Sequence, residues 1–265
     1  MSPELMRRIL TALVLAPLAL WWLWLAPSPW FEALLGLVGA GALVELVGML
    51  SLPARSGFAI AALAALALVL AGAHATLAIS LLGLLWTGVL AWQSRRAAEG
   101  ALPRAVRDVA MAYWLAVWIL LFVWTLLLVF RLPNGRAFML GAFTGVWAAD
   151  IAAYFVGRLI GRARLCPAIS PGKSVEGALA GVALGAVTAA AIWMLAARVS
   201  LPLAVGLGLL LAVASVLGDL AESAIKRVAG VKDSGTLLPG HGGLLDRVDG
   251  LMPAVTIAGL TWIGF

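Results

Sequence analysis

The sequence predicts an all-α, polytopic membrane protein with about nine transmembrane helices, and three observations lead there. Of 265 residues, 64% are hydrophobic and 11% charged, at a mean hydropathy of +1.08, a balance too apolar for a water-facing surface. Apolar stretches of about 20 residues, the length needed to cross a hydrocarbon core of about 30 Å, recur along the whole chain. Lys and Arg, finally, fall almost entirely on one side of the spans so defined.

In order, the spans are read at 9–26, 30–52, 58–74, 76–93, 109–130, 137–160, 176–197, 200–221 and 248–265. The first follows Arg7 and Arg8 and superficially resembles a secretory leader. Its bulky Trp21, Trp22 and Trp24, with no small-x-small cleavage pattern, favour a retained helix instead. Only a short stretch from Ala71 to Thr76, containing His74, separates spans three and four, so one long or re-entrant segment is the alternative there. Gly and Ala dominate spans two, three and seven, which permits close helix contact in lipid. Trp30, Trp92, Trp114 and Trp262 lie near span ends, where amphipathic rings settle at headgroup level, whereas Trp118 is mid-span and reads as core packing.

With the N-terminus placed in the cytoplasm, 15 of the 18 basic residues fall inside, and only Arg131, Arg136 and Arg198 fall outside. That bias puts the polar loops on the cytoplasmic face of the cell's inner membrane. The formal charge of +6 does not indicate a nucleic-acid partner, because the bases are scattered between apolar runs and form no basic patch. The single cysteine, Cys166, excludes an intramolecular disulfide.

The acids carry the chemical information, since a carboxylate in lipid costs a few kcal/mol and needs a partner or a function. Of 12 acids, Asp219, Glu222, Asp233, Asp246 and Asp249 crowd one short segment near the C-terminus. Asp219, Glu222, Ser223 and Lys226 occupy i, i+3, i+4 and i+7, one face of a helix. Asp246 and Asp249, three apart, share a face at the start of the last span, where one of them alone would serve as a first-turn acid. Asp219, Glu222, Asp246 and Asp249 together make an oxygen-only set suited to Mg²⁺. Between them runs the glycine-rich loop from Lys232 to Gly243, whose amides could approach phosphate while Lys226, Arg227, Lys232 and Arg247 supply positive charge. His241 alone reads as a structural hydrogen-bonding residue.

The run Ser223-Ala-Ile-Lys226-Arg227-x4-Lys232-Asp233-x5-Pro239-Gly240-His241-Gly242-Gly243-x2-Asp246-Arg247-x-Asp249 resembles the signature of the phosphatidate cytidylyltransferases, the CDP-diacylglycerol synthases. A second cluster is similar to another family segment: Asp150, Ala153-Tyr154, then Ser170-Pro171-Gly172-Lys173-Ser174-Val175-Glu176-Gly177. Gly172 stands where the family often has a second lysine. Gly172-Lys173-Ser174 also mimics the end of a P-loop, but Pro167 replaces the first glycine, which excludes that reading.

The resemblance implies transfer of CMP from CTP to phosphatidate with release of pyrophosphate, a divalent metal, a homodimer, and a cavity open to cytoplasm and lipid. It implies that Asp219, Asp246 and Asp249, with Glu222, hold Mg²⁺, a second cation being an open alternative. Lys173, Lys226 and Arg247 then neutralise phosphates, with Arg227, Lys232 and Gly240 to Gly243 beside them. Ser170 and Ser223 donate hydrogen bonds, and Asp150 and Glu176 either orient the lysines or complete the metal shell. The motifs cover roughly residues 140–255, within a catalytic region read as 138–265, leaving 1–137 as a helical scaffold with potential dimer contacts. Two rivals remain at this point, a CTP-dependent lipid kinase and a transporter; the transporter fits less well because its charges are expected at the bilayer midplane.

Overall fold

The computed structural model describes residues 17–50, 52, 55–94, 102–237 and 242–264. Helix covers residues 17–24 (α1), Ser28–Met49 (α2), Arg55–Leu70 (α3), Ala75–Ser94 (α4), Leu102–Phe130 (α5), Gly135–Ile160 (α6), Val175–Ala197 (α7) and Leu201–Ala229 (α8). A single turn, α9 (Leu245–Val248), and α10 (Leu251–Ile263) complete the described helices. Each anticipated span overlaps one of them, residues 9–16 of the first span lying outside the described residues. Five, namely α2, α5, α6, α7 and α8, are long and apolar enough to cross a membrane. At 16 and 13 residues, α3 and α10 reach only about 24 and 20 Å, short of a hydrocarbon core of about 30 Å.

One element differs from the all-helical expectation. Arg164–Cys166 (β1) and Ser170–Ser174 (β2) pair antiparallel between α6 and α7, with Arg164 opposite Ser174 and Cys166 opposite Ser170. Both strands are too short for alternation to register in the sequence, and the turn between them, residues 167–169, begins with Pro167. Gly172, Lys173 and Ser174 therefore lie in a strand, which rules out a phosphate-cradling loop at that point. Ser174 ends the strand and caps α7, its Oγ accepting the Gly177 N–H at 3.1 Å.

A single apolar cluster runs through the helices and is knitted by aromatic rings. Phe31 stacks between Trp22 and Phe130, at centroid distances of 4.8 and 4.1 Å. Phe138 stacks on Trp193 at 5.4 Å, and the indole N–H of Trp193 donates to the Phe138 carbonyl at 3.0 Å. The amphipathic exit of Trp262 from α10 closes on the same pair. Scaffold and C-terminal region thus share one core, and within the scaffold the Arg136 guanidinium donates to the Ala26 carbonyl at 2.7 Å, tying the start of α6 to the chain just after α1.

Helices α6 and α7 approach closely where small residues face each other. A Cβ on Gly145 would meet Ala189 Cβ at 2.9 Å, and one on Gly185 would meet Ala149 Cβ at 2.8 Å. In lipid, where apolar burial gives little drive to association, this backbone approach supplies the dispersion contact that holds the pair. Gly185→Leu should therefore wedge α6 from α7 and destabilise by about 1–3 kcal/mol. Thermal unfolding in detergent checks this, with Gly206→Ala, where a Cβ meets nothing within 4 Å, holding the wild-type midpoint.

Candidate active site

The last three turns of α8 place four polar side chains on one face, as their spacing predicts. Ser223 Oγ donates to Asp219 Oδ1 at 3.2 Å, one turn apart. Lys226 Nζ lies 2.5 Å from Glu222 Oε2 and 2.6 Å from Asp246 Oδ1, so one ammonium bridges two carboxylates from different elements. Glu222 is 1% and Lys226 9% exposed. Charges so enclosed persist only when paired, because desolvation otherwise exceeds the Coulombic gain.

The chain then turns at Gly230 (φ 74°) and passes through the loop that leads to α9. Asp246 Oδ2 accepts two amides from that loop, Gly243 N–H at 2.8 Å and Ser234 N–H at 2.9 Å. Burial opposes ionisation of Asp246, but the Lys226 ammonium and these two amides outweigh it and hold its carboxyl below the ordinary range. Asp246 is accordingly a carboxylate at any physiological pH. Gly242, at φ 78°, makes the reversal that aims the Gly243 amide at it. The amide of Gly243 thus serves a carboxylate, whereas the sequence suggested phosphate. Asp249 sits in the helical turn joining α9 to α10, its Oδ1 accepting the Gly250 N–H at 2.7 Å.

The β-hairpin brings the second cluster over the first. Lys173, on β2, forms an ion pair with Asp219 of α8. Arg227 anchors the hairpin turn, donating to the Ile169 carbonyl at 3.2 Å and to the Val231 carbonyl at 3.3 Å. Glu176 has a positional job as well, its Oε1 accepting the Ala163 N–H at 3.2 Å at the hairpin base.

These elements enclose a cavity of about 790 Å³, within the size range of small-molecule sites. Of the residues anticipated from sequence, Asp150, Lys173, Asp219, Lys226, Asp246, Arg247 and Asp249 line it. Glu222, Ser170, Ser223, Glu176, Arg227, Lys232, Gly242 and Gly243 are not on its wall. Gly240 and His241 lie outside the described residues. Three polar lining residues received no site role from the sequence: Tyr154, quoted there only within the second motif, Arg158 and Arg164. Tyr154 and Arg158 follow Asp150 at i+4 and i+8, a helical spacing that could have found them, and Arg158 donates to the Tyr154 hydroxyl at 3.0 Å. Beside the cavity, Phe155, Leu159 and Ile160 of α6 are exposed.

The lining carries five acids (Asp150, Asp219, Asp233, Asp246, Asp249) and five bases (Arg158, Arg164, Lys173, Lys226, Arg247). Among the described residues, no three His, Cys, Asp or Glu side chains close on one point as metal ligands do. The donor chemistry nevertheless suits a hard cation, being oxygen-only and anionic where Asp219, Asp246 and Asp249 face the cavity.

Helices long and apolar enough to span a bilayer, with a cavity of paired charges among them, define the class: a multi-pass membrane protein with a polar, ion-paired site. A profile of the cytidylyltransferase family matches residues 6–262, and the chain belongs to that family. It is 35% identical to a phosphatidate cytidylyltransferase of Pseudomonas aeruginosa over 97% of both chains. It is 41% identical to one from Synechocystis sp. over 66% of this chain and 58% of that one. A phosphatidate cytidylyltransferase of Brucella melitensis is 49% identical over a stretch covering 47% of this chain and 46% of the relative.

Removing the bridging cation should expose how much the acids depend on it. Lys226→Met leaves Glu222 buried and unpaired, and a loss of about 3–5 kcal/mol is expected. In thermal melts the double variant Lys226→Met/Glu222→Met should recover part of that loss, since the buried Glu222 charge is then gone and Asp246 keeps the Ser234 and Gly243 amides.

Proposed function

We infer that the chain transfers CMP from CTP to phosphatidate, forming CDP-diacylglycerol and pyrophosphate. The observation that carries this reading is a single cavity in which Lys173, Lys226 and Arg247 stand with Asp219, Asp246 and Asp249, in a chain matched over 97% of its length by a phosphatidate cytidylyltransferase.

In the reaction, a phosphate oxygen of phosphatidate attacks the α-phosphorus of CTP, and the bond to the β-phosphate breaks. The nucleophile is already ionised, so no side chain need take a proton, and the demands on the protein are alignment and charge neutralisation. Lys173, Lys226 and Arg247 meet the phosphates. Asp219 and Asp246 aim the two lysines, and Glu222, behind Lys226, holds that ammonium from the other side. Asp150 and Glu176 take supporting positions on α6 and at the hairpin base.

Five acids already match five bases on the cavity wall, so a triphosphate and a lipid phosphate bring negative charge that the wall does not balance. This supports Mg²⁺ as cofactor, with Asp219, Asp246 and Asp249 as the residues that would hold it. When bound, it would polarise phosphoryl oxygens and offset charge on the departing pyrophosphate.

Nine crossings, with the N-terminus and the site on the cytoplasmic side of the inner membrane, best suit the 15-to-3 division of basic residues. In that arrangement α3 and α10 cross with help from flanking residues or local bilayer thinning. Phosphatidate would keep its tails in the bilayer and present its headgroup past the exposed apolar flank of α6. Residues 1–137 act as scaffold and 138–265 carry the chemistry. The family resemblance supports a homodimer.

CTP labelled in the cytosine ring, incubated with phosphatidate and purified protein, should leave label in the lipid fraction. Label recovered only as CDP would instead favour the lipid-kinase reading. Asp246→Asn should lower the rate by about 100-fold or more while the protein still elutes as wild type. Excess EDTA should stop turnover and added Mg²⁺ restore it; turnover persisting in EDTA removes the metal from the scheme.

A further inference from the structure

We propose that Glu45, on the scaffold helix α2, is a positioning residue for the loop that carries Asp246. The proposal rests on the transfer reading for its catalytic consequence, and on geometry for the contact itself.

Glu45 lies one turn from the C-terminal end of α2 and is 7% exposed. A carboxylate at such a place in an apolar helix demands compensation. It finds this in the loop before α9. Glu45 Oε2 accepts the Leu245 N–H at 2.9 Å and the Ser234 hydroxyl at 3.1 Å, across some 200 residues of chain. The same Ser234 Oγ accepts the Asp246 N–H at 3.3 Å, while the Ser234 N–H donates to Asp246 Oδ2. One carboxylate therefore fixes Ser234 and Leu245, and these fix both the backbone and the side chain of Asp246, which holds Lys226.

The loop's composition fits this contact. A Cβ on Gly235 would lie 2.5 Å from Glu45 Oε1, and one on Gly243 would lie 2.6 Å from Glu45 Oε2. Two glycines are thus needed to let the backbone close around the carboxylate, a constraint separate from any role toward a ligand. Glu45 does not line the cavity, so its effect on turnover passes through Asp246.

Five variants, read by kinetics, amide exchange and melting temperature, test this in the whole chain. Glu45→Ala should lower kcat by about 100-fold with KM for CTP changed less than about threefold, as misplacement of a reacting group does. Glu45→Gln, which keeps a side-chain oxygen to accept from Ser234 and Leu245, should hold kcat within about fivefold of wild type. Ser234→Ala removes the loop's half of the contact without touching α2; the double variant with Glu45→Ala should fall no further than the worse single one. Amide exchange over 233–246 should quicken in Glu45→Ala and stay near wild type in Glu45→Gln. Phe31→Leu, at the far aromatic stack, should lower the melting temperature with kcat unchanged.

Wild-type kcat in Glu45→Ala, unaltered exchange in that loop, or additive losses in the double variant would overturn the proposal. So would an equal loss of kcat in Phe31→Leu. If the wild-type protein leaves no cytidine on lipid, the transfer reading fails by itself, and the exchange comparison still decides whether Glu45 holds the loop.

Discussion

Lys226 occupies a place that ought to reject it. An ammonium and two carboxylates, withdrawn from water near the end of an apolar helix, survive only as a mutually compensated set, because each charge alone would lose several kcal/mol of solvation. Much of the surrounding architecture follows. Glu222 is supplied by α8 itself, one turn back. Asp246 must come from another element, and the chain between them has to return to the same point. It does so by a left-handed turn at Gly230 and another at Gly242, and by lending two backbone amides to the free oxygen of Asp246. A buried ion-paired site is here a problem of returning the chain to one ammonium.

A second ion pair is mounted on a different device. Lys173 reaches Asp219 because a short hairpin folds back from α6 toward α8. The hairpin is held at its turn by Arg227 and at its base by Glu176, two charged residues whose work is mechanical. Gly145 and Gly185 let α6, which borders the cavity through Asp150, pack closely on α7, whose first residue follows the hairpin. The exposed apolar flank of α6 beside Tyr154 and Arg158 gives the cavity a neighbour suited to acyl chains.

Much of this was legible before any coordinates. Each apolar run corresponds to a helix, because hydropathy over about 20 residues is a strong and local signal. The stripe of Asp219, Glu222, Ser223 and Lys226 is equally local, since the helical period alone makes those residues neighbours. The hairpin was not legible: strands of three and five residues carry too few positions for alternation to stand out. Tyr154, quoted only as part of a motif, and Arg158 were given no site role despite a visible i+4 and i+8 spacing from Asp150. Glu45 was missed although the rule that selected the other acids, a carboxylate within an apolar run, applies to it equally.

By itself, then, the sequence determined that the chain is helical, that it belongs in lipid, and which residue types cluster near its C-terminus, because hydropathy and helical period act over one or two turns. Tertiary structure alone decided which charges meet. Asp246 faces Lys226 and Glu45 reaches Ser234 through backbone reversals and helix crossings, and separations of 20 and 189 residues leave no periodic trace in the chain. Within the protein a carboxylate takes whatever donor the fold delivers to it, and that delivery depends on how closely glycine lets two backbones approach.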